Sequence, residues 1–350
     1  MKIGIDCRLI NKNQNTGISR YTEFLIEYYM SRYDSRLIYL ITNDSKFNGY
    51  TCNVVYTKLH PYRVFDFLRF NSFIDAIDLD VYHSPFYSGL FARKDTMVSI
   101  VTVHDLMFLT LKNFFSFNLY LNSLKRLYFN LIVKRTLAAA NIIICVSKTT
   151  KDDVHDMYGL EGIHIPESSE ILVPPDEKIL KAHGLRNKSF YFYCGNNRPH
   201  KNLSFIIDIF NSNISLPPLV LAGKGHASGR NIVNVGVISD SELSSLYKAS
   251  IAFIFPSKYE GFGLPVLEAL RSRTFVIASR IPAFLEFDSP NIFYFNLEDK
   301  EEFLTAINQA NRSTFSSNTV LLDQYSKDHI YDLLDQVLQN ISSKLSINSA

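Results

Sequence analysis

The 350-residue sequence has no tryptophan and only four cysteines, although it contains 27 phenylalanines and 20 tyrosines. The cysteines are far apart and form no CxxC pair, so nothing indicates a disulfide framework or a cysteine zinc site. Net charge is also nearly absent, because 36 basic residues oppose 34 acidic ones. That balance gives no support for a protein that binds nucleic acid.

Long apolar runs are absent as well. No stretch approaches the roughly 18 apolar residues that a membrane span needs, and Asp6 interrupts the apolar start too early for a signal peptide. With 47% hydrophobic and 20% charged residues, the sequence can build full cores and is not typical of disorder. We therefore expect a cytoplasmic protein of two domains.

Short apolar runs alternate with longer amphipathic stretches, which is typical of βα units around parallel sheets. In the first half the pattern predicts strands at 2–6, 37–41, 81–83, 98–104 and 141–146, and helices at 18–31, 117–139 and 148–158. In the second half it predicts strands at 190–194, 219–222, 251–255 and 274–278, and helices at 201–210, 240–248, 265–271 and within 319–344. The fold class predicted is α/β, with two doubly wound Rossmann-like domains facing a central crevice.

The domain boundary is predicted where helix-unfriendly residues cluster, after Leu172 in the run Val-Pro-Pro-Asp-Glu-Lys. The N-terminal domain is placed at 1–174, the linker at 175–188 and the C-terminal domain at 189–350. The last helix of the chain is allowed to pack back on the N-terminal domain.

The segment FPSKYEGFGLPVLEAL at 255–270 carries the most chemistry. It joins a predicted strand to a helix, and Gly261 and Gly263 can bring bare N–H groups close to a ligand. The start of the helix offers partial positive charge to an anion such as phosphate. Glu260 and Glu268 suit the hydroxyls of a sugar or a ribose. The alternative is that both glutamates are only charges at the start of a helix.

Glu260 and Glu268 form an E-x7-E pattern that resembles the signature of retaining GT-B glycosyltransferases of family 4. Five further segments resemble that family in the same order: NTGISRY (15–21), TVHDL (102–106), CVSK (145–148), YCGNNRPHKN (193–202) and VISDSEL (237–243). The sequence departs from the family after Glu268, where RSRTF at 271–275 replaces the usual small residue, Gly and Pro.

The resemblance implies a role for each matching residue. Lys201 and Arg198 would neutralise the leaving nucleoside diphosphate, while Glu260 would lie beside the transferred sugar and His104 would bind the donor sugar. The resemblance also implies donor contacts from Gly17, Gly261, Phe262, Gly263, Leu264 and Glu268. It implies no metal and no cofactor, because the basic residues supply the counter-charge.

Each of these assignments has a structural alternative. His104 could be a core histidine with satisfied hydrogen bonds, and Lys201 and Arg198 could be solvated charges. Gly17 could simply form a turn. His83 could face the acceptor, although a structural role is the stronger interpretation for it.

A basic, aromatic region lies between residues 106 and 151, which contain seven lysines and arginines and no acid. Within it, residues 112–135 overlap the predicted helix 117–139, and a basic, aromatic amphipathic helix could lie on an anionic membrane surface through these residues. The alternative is a core helix with a basic solvent face.

The resemblance implies transfer of a hexose from a nucleotide-sugar, with GDP-mannose as the first choice, to a glycan or polyprenyl-diphosphate-linked acceptor. Bacterial surface polysaccharide such as O-antigen or capsule is the expected product. The expected location is the cytoplasm, peripheral to the inner face of the plasma membrane. Two alternatives stay open: another GT-B enzyme, such as a nucleotide-sugar epimerase, and a catalytically silent subunit of a transferase complex.

Overall fold

The computed structural model describes residues 1–10, 16–87, 89–92, 94, 96–112, 114–116, 118–168, 173–317 and 320–348, without the side chains of 320 and 342–348. The chain forms two compact units. Unit 1 comprises Met1–Glu167 and Tyr331–Ala350, and unit 2 comprises Ser168–Ile330. The chain thus changes units after Glu167, a few residues before the boundary at 174 that the sequence predicts. Residues 169–172, which include the Leu172 that marks the predicted boundary, lie outside the described residues.

Unit 1 is built on one parallel sheet of seven strands in the order β3-β2-β1-β4-β5-β6-β7. The strands are β1 (Ile3–Asp6), β2 (Ile38–Thr42), β3 (Asn53–Tyr56), β4 (Val81–Ser84), β5 (Val98–Val103), β6 (Ile142–Cys145) and β7 (Ile163–His164). The helices between them are α1 (Gly17–Arg32), α2 (Val64–Asp75), α3 (Met107–Thr110), α4 (Leu119–Ala139) and α5 (Lys148–Tyr158).

Unit 2 is built on a second parallel sheet, of six strands, in the order β10-β9-β8-β11-β12-β13. Its strands are β8 (Tyr191–Cys194), β9 (Leu219–Ala222), β10 (Ile232–Gly236), β11 (Ala252–Phe255), β12 (Phe275–Ser279) and β13 (Ile292–Phe295). The helices that come after α5 in the chain are α6 (Lys178–Ala182), α7 (Leu203–Ser212), α8 (Asp240–Ala249), α9 (Leu264–Arg271), α10 (Pro282–Leu285), α11 (Lys300–Arg312), α12 (Val320–Asp323) and α13 (Lys327–Asn348).

Both strand orders are doubly wound, which confirms the predicted fold class. The first strand of each unit lies inside its sheet, and the strand order reverses between β1 and β4 in unit 1 and between β8 and β11 in unit 2. Ligands of such sheets bind at the carboxyl ends of the strands beside this reversal. The central strands β1, β4, β9 and β11 are buried along their whole length, as the continuous apolar runs predict.

Local signals fix several elements closely. The predicted helix 148–158 coincides with α5, where the Ser147 side chain accepts from the Thr150 N–H and Gly159 ends the helix with a φ of 64°. The start of α8 has a similar signal, because Ser239 and Glu242 form a reciprocal capping box.

Other segments differ from the prediction. The sequence pattern misses four strands, β3, β7, β10 and β13, and five helices, α2, α3, α6, α10 and α11. The first residue of the predicted helix 117–139 lies outside the described residues. The predicted linker 175–188 contains α6, and the Asp176 N–H donates to the carbonyl of Ser241 in α8. This stretch is therefore folded as part of unit 2.

Helix α13 begins in unit 2 and continues into unit 1. On the unit 1 side, the Tyr28 hydroxyl of α1 donates to Asp335 Oδ1 at 2.7 Å, and Arg32 Nε donates to Asp335 Oδ2 at 3.1 Å. The Tyr331 ring packs against Tyr28 at 4.9 Å between centroids. Within the described residues, no helix has the length and apolarity that a transmembrane segment requires.

Candidate functional site

The loop after β8 places Lys201 at the carboxyl edge of the unit 2 sheet. Residues Pro199–Lys201 form one turn of 3-10 helix, and Asn202 then takes a left-handed conformation with φ of 53°. The prediction that Lys201 opens a helix is therefore wrong, because α7 starts only at Leu203. The left-handed residue separates the two helices, and Lys201 belongs to the loop.

Lys201 is paired with Glu260, which follows the neighbouring strand β11. The Lys201 Nζ atom lies 2.6 Å from Glu260 Oε1, and the two side chains are only 15% and 13% exposed. Nζ is also 5.0 Å from the centroid of the Phe255 ring. Lys201 and Glu260 are both candidate site residues from the sequence, and they are 59 positions apart in the chain. The fold brings them together at the point where the strand order reverses.

The residues beside this pair differ in charge and exposure. Burial, and secondarily the charge of Lys201, lowers the pKa of His200 to about 4, so His200 is neutral at neutral pH. Arg198 is exposed, and its backbone N–H donates to the Asn196 side chain. Lys201 is therefore the cation held at the strand ends, whereas Arg198 lies on the outside of the same loop.

Glu268 lies within α9, one turn after its start, and is 5% exposed. Its Oε2 atom accepts a hydrogen bond of 3.0 Å from the Tyr247 hydroxyl of α8. The resemblance assigns this carboxylate to the ribose hydroxyls. The structure adds Tyr247 as a residue that orients it, and no motif in the sequence points to that tyrosine.

The glycine loop before α9 is shaped by packing. Gly263 has a φ of 137°, and a Cβ atom there would lie 2.9 Å from a ring carbon of Phe287. The Phe262 side chain is buried against Phe287 and Tyr325, so Phe262 can offer a ligand its backbone but not its ring. Leu264 is half-buried as the first residue of α9, and Gly261 is buried.

His104 follows β5 at the carboxyl edge of the unit 1 sheet, as predicted. Its Nδ1 atom lies 2.6 Å from Glu167 Oε1, and its Nε2 atom lies 2.8 Å from the Pro85 carbonyl oxygen. Burial lowers the pKa of His104, but the hydrogen bond and charge of Glu167 outweigh burial and raise it above the ordinary value. Sequence reasoning missed Glu167, because the two residues are 63 positions apart and share no local motif.

Gly17 is the first residue of α1 and is exposed. A Cβ atom at this position would meet nothing within 4 Å, so packing does not require the glycine. Close approach of a ligand to the backbone would be a separate reason for a glycine at position 17. Asn15 of the same motif lies outside the described residues.

His83 is fully buried and serves the interior of unit 1. Its ring nitrogens contact the Tyr29 hydroxyl at 2.9 Å and the Thr102 hydroxyl at 3.0 Å. Burial lowers the pKa of His83 to about 3. The structural interpretation of this residue therefore accounts for its position.

Among the residues that the structure describes, no three His, Cys, Asp or Glu side chains are grouped as metal ligands would be.

Each half of the chain matches a family model of known glycosyltransferases. The family model described as Glycosyl transferases group 1 matches residues 175–345, and the model described as Glycosyltransferase Family 4 matches residues 15–165.

The chain is similar to O-antigen chain mannosyltransferase RfbU of Salmonella typhimurium, with 26% identity over 199 residues that cover 53% of this chain and 55% of that protein. It is also similar to O-antigen chain mannosyltransferase B of Escherichia coli, with 26% identity over 264 residues that cover 66% and 63%. Less than two thirds of either relative is therefore matched.

Among solved structures, the chain resembles Anabaena Alr3699/HepE in complex with UDP-glucose. The TM-score is 0.73 at 14% identity, and the match covers 97% of this chain and 100% of that chain. At this identity the likeness concerns the fold.

Proposed function

Because the chain belongs to the GT-B glycosyltransferases of group 1 and family 4, we propose that it moves a hexose from a nucleotide-sugar to a glycan acceptor with retention of anomeric configuration. The observation that carries this proposal is the Lys201–Glu260 pair at the carboxyl ends of β8 and β11. An ammonium at this position suits a diphosphate, and a carboxylate suits sugar hydroxyls.

The proposed reaction places the basic residues on the leaving group. When the bond between sugar C1 and the diphosphate oxygen breaks, negative charge accumulates on the diphosphate. Lys201 would then bind a phosphate oxygen in exchange for Glu260, and Arg198 would add a second cation from the same loop. A preorganised charge of this kind lowers the barrier because it acts mainly on the transition state.

The acceptor hydroxyl would attack C1 on the face that the diphosphate leaves. Its oxygen forms the new bond to C1, and its proton passes to the departing phosphate oxygen, so atoms and charges balance without a metal ion. Glu260 would contact the sugar, His104 would bind it from unit 1, and Gly17 would admit the diphosphate. Glu268, oriented by Tyr247, would hold the ribose hydroxyls.

GDP-mannose is the proposed donor, because the relatives from Salmonella typhimurium and Escherichia coli described above are both named O-antigen chain mannosyltransferases. The proposed acceptor is a growing lipid-linked glycan such as O-antigen or capsule. A nucleotide as donor carrier is further supported by the similar Anabaena protein, whose structure was solved in complex with UDP-glucose.

An anionic membrane surface is the proposed partner of α4. The helix carries a stripe of exposed apolar side chains at spacings of four, three and four: Tyr120 (73% exposed), Leu124 (47%), Leu127 (58%) and Leu131 (54%). Such a stripe follows one helix face. Lys125, Lys134 and Arg135 are exposed on the same helix. Apolar residues with basic neighbours suit the inner leaflet. Asn113 and Phe117, within or beside the predicted segment 112–135, lie outside the described residues.

The donor can be tested by measuring thermal stabilisation with GDP, UDP, dTDP and ADP. A ligand at 100 times its Kd stabilises the folded state by about 2.7 kcal/mol, so the correct diphosphate raises the melting temperature. We expect GDP to act most strongly. Stabilisation by none of the four diphosphates would contradict the proposed donor site.

Transfer itself requires labelled donor, lipid-linked acceptor and an assay with no second polypeptide. Product with retained anomeric configuration supports the proposal, and inverted product contradicts it. Conversion of the donor without an acceptor would favour the epimerase alternative. Activity only with an added partner would favour a silent subunit.

A further inference from the structure

His104 has a polar partner at each ring nitrogen. A carbonyl oxygen can only accept, so the 2.8 Å contact with Pro85 requires a proton on Nε2. The 2.6 Å contact between Nδ1 and Glu167 then needs a second proton between the ring and the carboxylate. A neutral imidazole has one proton, so the geometry fits an imidazolium beside a carboxylate.

The surroundings of the pair fix its position. The side chains of His104 and Glu167 are only 12% and 8% exposed. The His104 carbonyl accepts from Thr150 of α5, and the Tyr21 ring of α1 packs perpendicular to the imidazole at 4.9 Å. The ring cannot turn without losing its contacts with Glu167, Pro85 and Tyr21.

The other titratable groups near His104 do not compete for this role. Asp105 is adjacent in the chain and adds to the preference for a cation. Burial raises the pKa of Tyr21, so its hydroxyl stays neutral, and that hydroxyl contacts Thr102. His83 lies beyond Thr102 and is neutral, because burial lowers its pKa to about 3.

We propose that Glu167 is a positioning residue that keeps His104 doubly protonated, so that Nε2–H is a charged donor for an oxygen of the substrate. In the structure Pro85 accepts that hydrogen bond, and a sugar or phosphate oxygen would take its place. The negative charge of Glu167 is essential to this arrangement, because a neutral partner would accept from Nδ1–H without favouring the cation.

Nuclear magnetic resonance of isotope-labelled histidine tests the pair directly, without any assay of activity. At pH 7 the wild-type protein should carry protons on both nitrogens of His104, and its pKa should lie above that of an ordinary histidine. In Glu167→Gln the pKa should fall by at least one unit. One protonated nitrogen at pH 7 in the wild type overturns the proposal, even if Glu167→Gln does not fold.

The pH dependence of kcat/KM tests the consequence for the proposed transfer, and this part rests on the proposed function. Deprotonation of His104 lowers activity, so the alkaline limb of Glu167→Gln should move to lower pH by the same amount. One unit corresponds to a tenfold loss above both pKa values. Glu167→Asp, which keeps the charge, should restore part of the shift.

Glu161→Gln is the matched control. Glu161 also pairs with a histidine in unit 1, since His155 Nδ1 lies 3.1 Å from its carboxylate, but the two side chains are 59% and 79% exposed. We expect no change in the pH profile. If the wild type has no transferase activity, the proposed function fails while the histidine titration still decides the role of Glu167. A loss of kcat/KM that is equal at all pH values in Glu167→Gln, with an unchanged pKa for His104, would mean that Glu167 has only a structural role.

Discussion

Lys201 holds a charge in a mostly buried position because Glu260 is 2.6 Å away. Removing the ammonium therefore has two consequences. The diphosphate loses a contact with a cation, and it then lies near the Glu260 carboxylate, whose charge is no longer paired. An experiment on this residue must separate the two.

We expect Lys201→Ala to lower kcat by roughly 10²–10³, or about 2.7–4 kcal/mol, because a preorganised charge on the leaving group is lost. Calorimetry should show a much larger loss of affinity for the nucleoside diphosphate than for the nucleoside. Lys201→Arg should recover little, since a planar guanidinium does not replace a compact ammonium.

Two further variants complete this test. Lys248→Ala removes an exposed lysine near the end of α8, before the first residue of β11, and should leave both affinities unchanged. The double variant Lys201→Ala with Glu260→Ala removes the unpaired carboxylate. Full recovery of diphosphate affinity in that double variant would mean that Lys201 acts only by neutralising Glu260.

His83 should make unit 1 sensitive to acid. Its pKa is about 3 in the folded protein and about 6.5 when unfolded, so between these values only the unfolded chain binds the proton. The contribution of His83 to the free energy of unfolding is therefore fully present above pH 6.5. It should fall by up to about 1.4 kcal/mol per pH unit as the pH drops toward 3.

Calorimetric unfolding between pH 7 and pH 4 measures this contribution. His83→Gln should unfold more easily at pH 7, because the contacts with Tyr29 and Thr102 are disturbed, but should lose part of the acid dependence. The exposed His155 provides the control His155→Gln. An unchanged slope in His83→Gln would mean that other groups cause the acid sensitivity.

At the scale of elements, α4 combines an apolar stripe with exposed basic residues. Replacing Lys125, Arg126, Lys134 and Arg135 by Gln should release the protein from vesicles of anionic lipid, because each charge near such a surface contributes about 1 kcal/mol. Co-sedimentation at low salt measures the effect.

The matched control removes four exposed basic residues from unit 2: Lys178, Lys181, Arg186 and Arg230. It has the same net charge as the α4 variant and should still bind. Equal loss in both variants would indicate attraction by overall charge rather than docking through α4. Failure of the wild type to bind at low salt would remove the membrane proposal.

Helix α13 joins the last part of the chain to α1. Asp335→Ala removes the acceptor of the Tyr28 hydroxyl, which is fully buried, and also the partner of Arg32. We expect a loss of about 1–3 kcal/mol in the free energy of unfolding. Asp332→Ala, an exposed carboxylate on the same helix, should change it by less than about 0.5 kcal/mol. Equal effects would mean that the contacts of Asp335 with α1 do not stabilise unit 1.

Whether a helix or strand can be predicted from the sequence depends on its local signals. Helix α5 is predicted to the residue because its apolar spacing is bounded by a serine cap and a glycine. Strand β3 is missed because it has four residues, none fully buried, and thus lacks a continuous apolar run. The start of α7 is misplaced because the left-handed Asn202 has no signal in the pattern of apolar residues.

For the whole molecule, the two doubly wound sheets are predictable because strand-length apolar runs recur throughout the chain. The approach of Lys201 to Glu260 follows from sheet topology, since adjacent strands end at one edge. Glu167 is not predictable, because the two-residue strand β7 alone carries the chain to the edge where His104 lies. Pairs of this kind depend on tertiary structure.

Unit 1 is made of two separate stretches of chain, whereas unit 2 is continuous. Ribosomes synthesise residues 1–167 first, yet Tyr331 and Asp335, which cover Tyr28, leave the exit tunnel only after all of unit 2. During translation the second unit can therefore complete its core before the first. Tyr28 of α1 therefore lacks its contacts with α13 throughout this period, and apolar surface exposed in this way makes a partly folded chain prone to aggregation.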